Sequence, residues 1–221
     1  MQKDIFLQSE WSSWFQRNKS SMNSHKEEND KIIEFFIKNN ISWNTKTLEI
    51  GCSNGWRLNA LSEKLWWDYY WIDPGEMAIS EWSKSFPKIH LSKSTADDLK
   101  FNDWFFDNVI IGFCLYVCDR SDLFKIAYEV DRVLKDWWNI FVLDFDPGFT
   151  YKNNYAHIEW LSSYKMDYSK LFLWNPLYGM IYKDVYSHTE DGNIIDPNER
   201  ISLSVLRKNS KYSYPNCFFH E

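Results

Sequence analysis

From residue 46 onward, short apolar runs alternate with segments whose apolar positions recur every three or four residues. This alternation predicts strand, helix, strand, helix. Lys46–Ile50 (KTLEI) reads as a strand ending at Gly51, and Leu58, Leu61 and Leu65 then follow at helical spacing over Arg57–Leu65. Tyr69–Ile72 is a second strand ending in Asp73, Glu76–Phe86 a second helix stopped by Pro87, and Ile89–Ser92 a third strand. Asp107–Phe113 (DNVIIGF) is almost continuously apolar and β-branched, the pattern of a central parallel strand buried on both faces. Ser121 is expected to cap the next helix, with Leu123, Phe124, Ala127, Val130, Val133 and Leu134 on its buried side. Asn139–Asp144 (NIFVLD) is another buried strand. Strands and helices in this order make βαβ units and an α/β fold with a doubly wound, mostly parallel sheet.

The two ends read differently. Residues 1–23 are polar with scattered aromatics and predict an arm with a short helix. Ser24, with Glu27 three residues on, has the spacing of a capping box for a helix whose apolar face is Ile32, Ile33, Phe35, Phe36 and Ile37. After Pro147 the alternation stops. Residues 148–177, rich in Tyr, Asn, Lys and Trp, read as an inserted lid. Tyr178–Tyr186 and Arg200–Arg207, joined through EDGNIIDPNE, predict an antiparallel C-terminal edge strand pair. The sheet is then seven-stranded. The chain is expected to be a single domain, 1–221: N-terminal arm and helix 1–45, ligand-binding core 46–147, lid 148–177, and strand pair with tail 178–221.

Composition narrows the class. With 44% hydrophobic and 25% charged residues the chain is globular rather than disordered. A formal net charge of −6 and the lack of a long basic run disfavour nucleic acid as a partner and leave a small molecule as the simpler one. Cys52, Cys114, Cys118 and Cys217 form no CxxC pair and no ligand spacing with His, so reduced core thiols in a cytoplasmic protein are expected, with no metal. MQKDIFLQSEW has no uninterrupted apolar segment, so no signal peptide is expected. No run approaches the roughly 18 apolar residues a bilayer requires, so no membrane partner is expected.

The chemistry gathers at predicted strand ends, where ligands bind in doubly wound sheets. Glu49-Ile50-Gly51-Cys52-Ser53-Asn54-Gly55 closes the first strand. Gly51 and Gly55 allow a sharp turn and close approach of backbone to ligand, and the following helix N-terminus offers free N–H groups. A nicotinamide fingerprint requires G-x-G-x-x-G, which G-C-S-N-G-W does not supply. Asp73, about 20 residues beyond the loop, can accept hydrogen bonds from ribose hydroxyls.

These elements, with Ile72-Asp73-Pro74, Thr95-Ala96-Asp97-Asp98 and Gly112-Phe113-Cys114-Leu115-Tyr116, resemble in order and spacing the class I S-adenosylmethionine-dependent methyltransferases over residues 46–144. The resemblance implies S-adenosyl-L-methionine as cofactor. It places Glu49, Gly51, Cys52, Ser53 and Gly55 at the first loop, Asp73 and Pro74 at the ribose, Ala96 and Asp97 at the adenine, and Phe113 beside the sulfonium. The run from Gly112 to Pro147, with YKMDYSKLFLWNP, is also similar to methyltransferases met near bacterial surface-glycan biosynthesis genes. The implied function is O-methylation of a sugar or sugar-phosphate-type metabolite. Asp146, after the fifth strand, and His157 are the candidate bases, with His188 a further histidine; Tyr151, Lys152, Tyr155, Tyr164, Lys165 and Lys170 form an aromatic, cationic lid suited to an anionic or glycan-like acceptor. Two other classes stand beside it: a non-catalytic S-adenosylmethionine-binding regulator or partner subunit, and a nicotinamide-dependent oxidoreductase, against which the missing third glycine argues.

One departure is compositional. Average usage predicts roughly 15 glycines in such a chain; there are 7, with 13 tryptophans. Members of the resembled family carry glycine where this chain has Trp56, Trp66, Trp67, Trp71, Trp82, Trp104, Trp137 and Trp138, and Trp43 and Trp160 join the set. Trp11, Trp14 and Trp174 sit in aromatic contexts and read as native. Either the codon UGA means glycine in the source, or these tryptophans are real and tolerated.

Overall fold

The computed structural model describes residues 2–22, 29–41, 44–51, 55–65, 67–189 and 192–216, with residues 19–22 as backbone only. Strands β1 (Lys46–Ile50), β2 (Asp68–Asp73), β3 (Ile89–Lys93), β4 (Phe106–Gly112) and β5 (Leu134–Phe145) are mutually parallel. A separate hairpin, β6 (Tyr151–Asn154) and β7 (Ser162–Lys165), follows, then β8 (Tyr178–Ser187) and β9 (Arg200–Lys208), paired antiparallel. The main sheet has the order β3-β2-β1-β4-β5-β9-β8, with β9 antiparallel to β5. This is the expected seven-stranded, mostly parallel sheet with an antiparallel edge pair.

The helices are α1 (Gln2–Ile5), α2 (Trp11–Met22), α3 (Lys31–Lys38), α4 (Trp56–Lys64), α5 (Glu76–Ser85), α6 (Leu123–Val133) and α7 (Lys170–Leu173). Every residue of β4 is buried, and its alternate side chains serve two cores. Val109 and Ile111 join Leu48, Ile50 and Val142 against Ile126, Val130 and Val133 of α6. Ile110 joins Phe141 and Leu143 against Ile32, Ile33 and Phe36 of α3 and Leu58 and Leu61 of α4. β2 and β4 flank β1, so successive connections leave β1 in opposite directions, and a crevice opens at its carboxyl end. No helix among the described residues is long and apolar enough to cross a membrane.

Four local expectations are corrected. The arm is helical through most of its length: a π-turn, Phe6–Glu10, joins α1 to α2. Asp30 caps α3, its carboxylate accepting from the amides of Ile32 and Ile33 at 2.9 Å, whereas Ser24 and Glu27 lie outside the described residues. Ser121 falls in a 3-10 turn, Arg120–Asp122, ahead of α6, and Phe124 is 71% exposed while Ile126 takes the buried place. The fourth correction divides the segment 148–177. Because β5 and β8 both run antiparallel to β9, the chain must return across the height of the sheet before β8 begins. Only β6–β7 stays at the carboxyl edge. α7 is the crossover: it packs Leu171 and Phe172 into the α6 core, and Tyr178 donates to Asp131 of α6 at 2.5 Å. Lys170 therefore belongs to the crossover and not to the lid.

Candidate functional site

At the carboxyl ends of β1, β2, β3 and β4 lies a cleft. Its floor is Ile50, Gly51, Ile72 and Pro74; one wall is Ser94–Asp97, another Cys114, Val117 and Cys118. Gly51 has φ +80, and a Cβ there would stand 2.5 Å from that of Cys114, so only glycine lets these two loops approach. Gly55, also left-handed at φ +61, starts α4. Cys52 and Ser53 lie outside the described residues.

Asp73 ends β2 beside the floor residue Pro74 and is 3% exposed. The Gly75 amide donates to its Oδ1 at 2.7 Å. Burial outweighs that bond and pushes the carboxyl up to about 7. Asp97 stands across the cleft on a loop that α6 clamps: Glu129 accepts from the Leu99 amide, and Arg132 donates to the carbonyls of Leu99 and Phe101. Burial raises Asp97, but hydrogen bonds from Lys3 and Thr95 outweigh it and hold the carboxyl below its ordinary range. Ala96 lies beside it in the cleft wall, while Asp98 faces outward and pairs with Lys100. Gly51, Pro74, Ala96 and Asp97 thus line one cleft, with Asp73 buried between the floor residues Ile72 and Pro74 in sequence.

Glu49 is turned the other way. In β1 its side chain points to the opposite face from Ile50, is fully buried, and pairs with Arg57 of α4; Arg57 in turn bonds Asp30 Oδ2 at 2.8 Å. This buried triad ties β1, α4 and the cap of α3 together, so Glu49 supports the loop from behind. Phe113 has φ +46 and packs on Phe145 and His188, one residue before the cleft residue Cys114.

The sequence reading missed the roof. Lys3, Phe6, Leu7 and Trp11 of the N-terminal helical segment line the cleft. Their spacing is helical, which was the available signal. Lys3 Nζ lies 2.5 Å from Asp97 Oδ2, and Asp119, after β4, accepts from the backbone amides of Gln2 and Lys3. The lid hairpin locks this segment: Gln2 exchanges hydrogen bonds with Ser162, Tyr155 donates to Glu10 at 2.9 Å, and Phe6, Val117, Tyr155 and Leu161 form a small separate core.

The candidate bases lie apart from each other. Asp146 is buried and ion-paired to Lys183 at 2.8 Å. His157 is exposed on the connection between β6 and β7, edge-on to Tyr155. His188, just past β8, sits against Phe113 and Phe145. Lys165 is buried with its ammonium 3.8 Å over the Phe145 ring, and burial lowers its pKa. Asp144, which the sequence reading left as an ordinary strand end, is pushed up to about 7 by burial despite bonds from the amides of Leu115, Tyr116 and Phe145.

Residues 47–136 match the family described as "Methyltransferase domain". Among curated proteins none matches the chain. A structure of S-adenosylmethionine-dependent methyltransferases from Methanosarcina mazei is 18% identical with TM-score 0.65, over 79% of this chain and 97% of that one. The Burkholderia thailandensis 1,6-didemethyltoxoflavin-N1-methyltransferase, solved with its substrate and S-adenosylhomocysteine, is 11% identical with TM-score 0.73, over 94% and 89%. The [4+2]-cyclase SpnF, 12% identical with TM-score 0.60 over 80% of both chains, shares the architecture too. Residues 47–136 thus carry the match to a methyltransferase domain, on a fold shared with S-adenosylmethionine-dependent methyltransferases, and together these support S-adenosylmethionine as the cofactor.

Proposed function

We propose that the protein transfers a methyl group from S-adenosylmethionine to a small-molecule acceptor, by O-methylation of a sugar or sugar-phosphate-type metabolite. The carrying observation is the cleft at the switch point, with Asp97 in its wall and Asp73 buried at the end of β2 between the floor residues Ile72 and Pro74. In this reading Asp73 accepts from ribose hydroxyls and Asp97 from an adenine amino group, while Gly51 lets the backbone approach the methionine part. The cofactor, when bound, supplies a methyl group already activated on a sulfonium, so positioning contributes most of the rate.

The chain's own contribution is to orient the acceptor, exclude water and take a proton. The N-terminal helical segment roofs the cleft and the β6–β7 hairpin packs against that segment, an arrangement suited to limiting water around a bound cofactor. Lys165 over Phe145, with the tyrosines of the hairpin, suits an anionic, ring-shaped acceptor. A neutral hydroxyl needs a base, for which Asp146 and His157 are the candidates; an acceptor already anionic needs none.

Thermal shift with S-adenosylmethionine, S-adenosylhomocysteine and NAD is the first test. The first two should raise the melting temperature and NAD should not. A shift with NAD alone would overturn the reading. Release of S-adenosylhomocysteine is then followed against a panel of sugars and sugar phosphates. Binding without turnover on any acceptor would favour a non-catalytic S-adenosylmethionine-binding regulator.

A further inference from the structure

We infer that Trp43, Trp56, Trp66, Trp67, Trp71, Trp82, Trp104, Trp137, Trp138 and Trp160 stand at glycine positions, the source of this chain decoding UGA as glycine. Trp43 and Trp66 lie outside the described residues; of the other eight, the structural argument rests on Trp71, Trp82, Trp104 and Trp137. Two of them have a backbone that tryptophan disfavours. Trp104 has φ +52 and Trp137 φ +71, in the left-handed region where Cβ crowds the chain and glycine does not. Trp104 occupies the turn before β4. Trp137 lies where β5 makes an excursion, residues 135–138 falling between the pairs Phe106–Leu134 and Asn108–Asn139. The two rings are 67% and 46% exposed, so little burial offsets the conformation.

Two others fail differently. Trp71 and Trp82 are buried, and each indole N–H lacks an acceptor among the described residues. Buried tryptophans ordinarily find a partner for that donor, because leaving it dry forfeits its bond to water. The Trp71 ring also lies close to Gly55, where an added Cβ would stand 3.2 Å from it. The tryptophans outside the set show neither fault. Trp11 and Trp174 are helical, at φ −59 and −66, and Trp11 packs against Phe6 and Trp14. The misfits therefore sort with the set that would bring the 7 glycines near ordinary usage. Glycine at 71 would remove the ring beside Gly55, so the glycine form is expected to bind the cofactor better.

The gene's codons and the native peptides test this together. UGA is expected at the ten positions and UGG at Trp11, Trp14 and Trp174. Mass spectrometry of protein from the source should read glycine at 71, 82, 104, 137 and 138. UGG at these five positions, or tryptophan in those peptides, would overturn the inference. A physical arm separates it from the methyltransferase reading. Trp104→Gly with Trp137→Gly should raise the melting temperature by about 2–6 °C, whereas Trp174→Gly, in a helical conformation, should lower it. A fall in the double variant like that of Trp174→Gly would remove the geometric argument. The all-glycine chain should bind S-adenosylhomocysteine more tightly than the tryptophan chain. If native peptides read glycine and neither form binds, the methyltransferase reading fails and this inference stands.

Discussion

The parallel sheet core and the side built from the N-terminal segment and the β6–β7 hairpin are held together by different means. Residues 46–133 are built from successive βαβ units, each strand pairing with a neighbour close in sequence apart from the step from β1 to β4. Most cleft residues there lie at strand ends or in the loops that follow them, so a local pattern fixes their place. The side proposed to take the acceptor is assembled from distant pieces. Gln2 meets Ser162, Glu10 meets Tyr155, and Lys165 meets Asn198. Chemistry placed by topology can be read from one sequence; chemistry placed by long-range packing cannot.

The largest expected effect tests what stands behind the cofactor loop. Arg57 bridges two buried carboxylates, Glu49 and Asp30. Arg57→Ala should cost about 3–5 kcal/mol of stability, because it leaves buried charges uncompensated. Denaturant unfolding measures it. A loss below 1 kcal/mol would mean that the triad is not the scaffold described, and would return Glu49 to the cofactor side.

Asp73 is the sharpest test of the cofactor half. Asp73→Ala removes a charge-assisted acceptor worth roughly 1.5–3 kcal/mol, so affinity for S-adenosylhomocysteine should fall on the order of tenfold or more by calorimetry. Unchanged affinity would show that the ribose does not lie on β2. The pH dependence follows with a definite sign. The folded carboxyl titrates near 7 against 3.8 ordinarily, so the native protein keeps a proton that the unfolded chain has lost. Asp73 thus contributes stability that is fully present below its unfolded pKa and is lost as pH rises through 7. The ligand requires the ionised form, so affinity should climb about tenfold between pH 6 and 8, as expected for a group titrating near 7. Asp73→Asn should flatten that slope; a slope that persists in Asp73→Asn belongs to another group.

The succession of parallel strands, the edge pair and the position of Gly51, Asp73, Ala96 and Asp97 at or just past strand ends were legible because burial on both faces and glycine at turns leave marks in neighbouring residues. The cap of α3 was misplaced, since Ser24 and Asp30 both satisfy the local chemistry and only packing chooses between them. Asp144 escaped notice because its raised pKa comes from burial among loops distant in sequence. The lid was drawn too long because the return crossing through α7 follows from the direction of β8, and no single segment encodes that direction.

Tyr155 marks where the two halves meet. From the sequence it belongs to the acceptor lid alone. In the fold it packs edge-on to Phe6, which lines the cofactor cleft, and donates to Glu10. Tyr155→Ala should therefore weaken S-adenosylhomocysteine binding several-fold, while His157→Ala leaves it unchanged. Equal affinities for the two variants would restore the boundary that the sequence reading drew.

The smallest effect concerns the roof itself. Lys3 holds Asp97 at 2.5 Å, on the carboxylate proposed to receive the adenine amino group. Lysine and adenine then compete for one acceptor. The side chain of Lys3 is 28% exposed, so solvent screens the pair and its worth is at most about 1 kcal/mol. Lys3→Met keeps the aliphatic stem over the cleft and removes the ammonium. Affinity for S-adenosylhomocysteine should rise by up to about fivefold, with Asp97→Asn cancelling the gain, because the competition exists only while residue 97 is charged. A fall in affinity on Lys3→Met would invert the relation: the ammonium would then contribute to binding directly, and the N-terminal helical segment would belong to the cofactor site as a ligand and not as a cover.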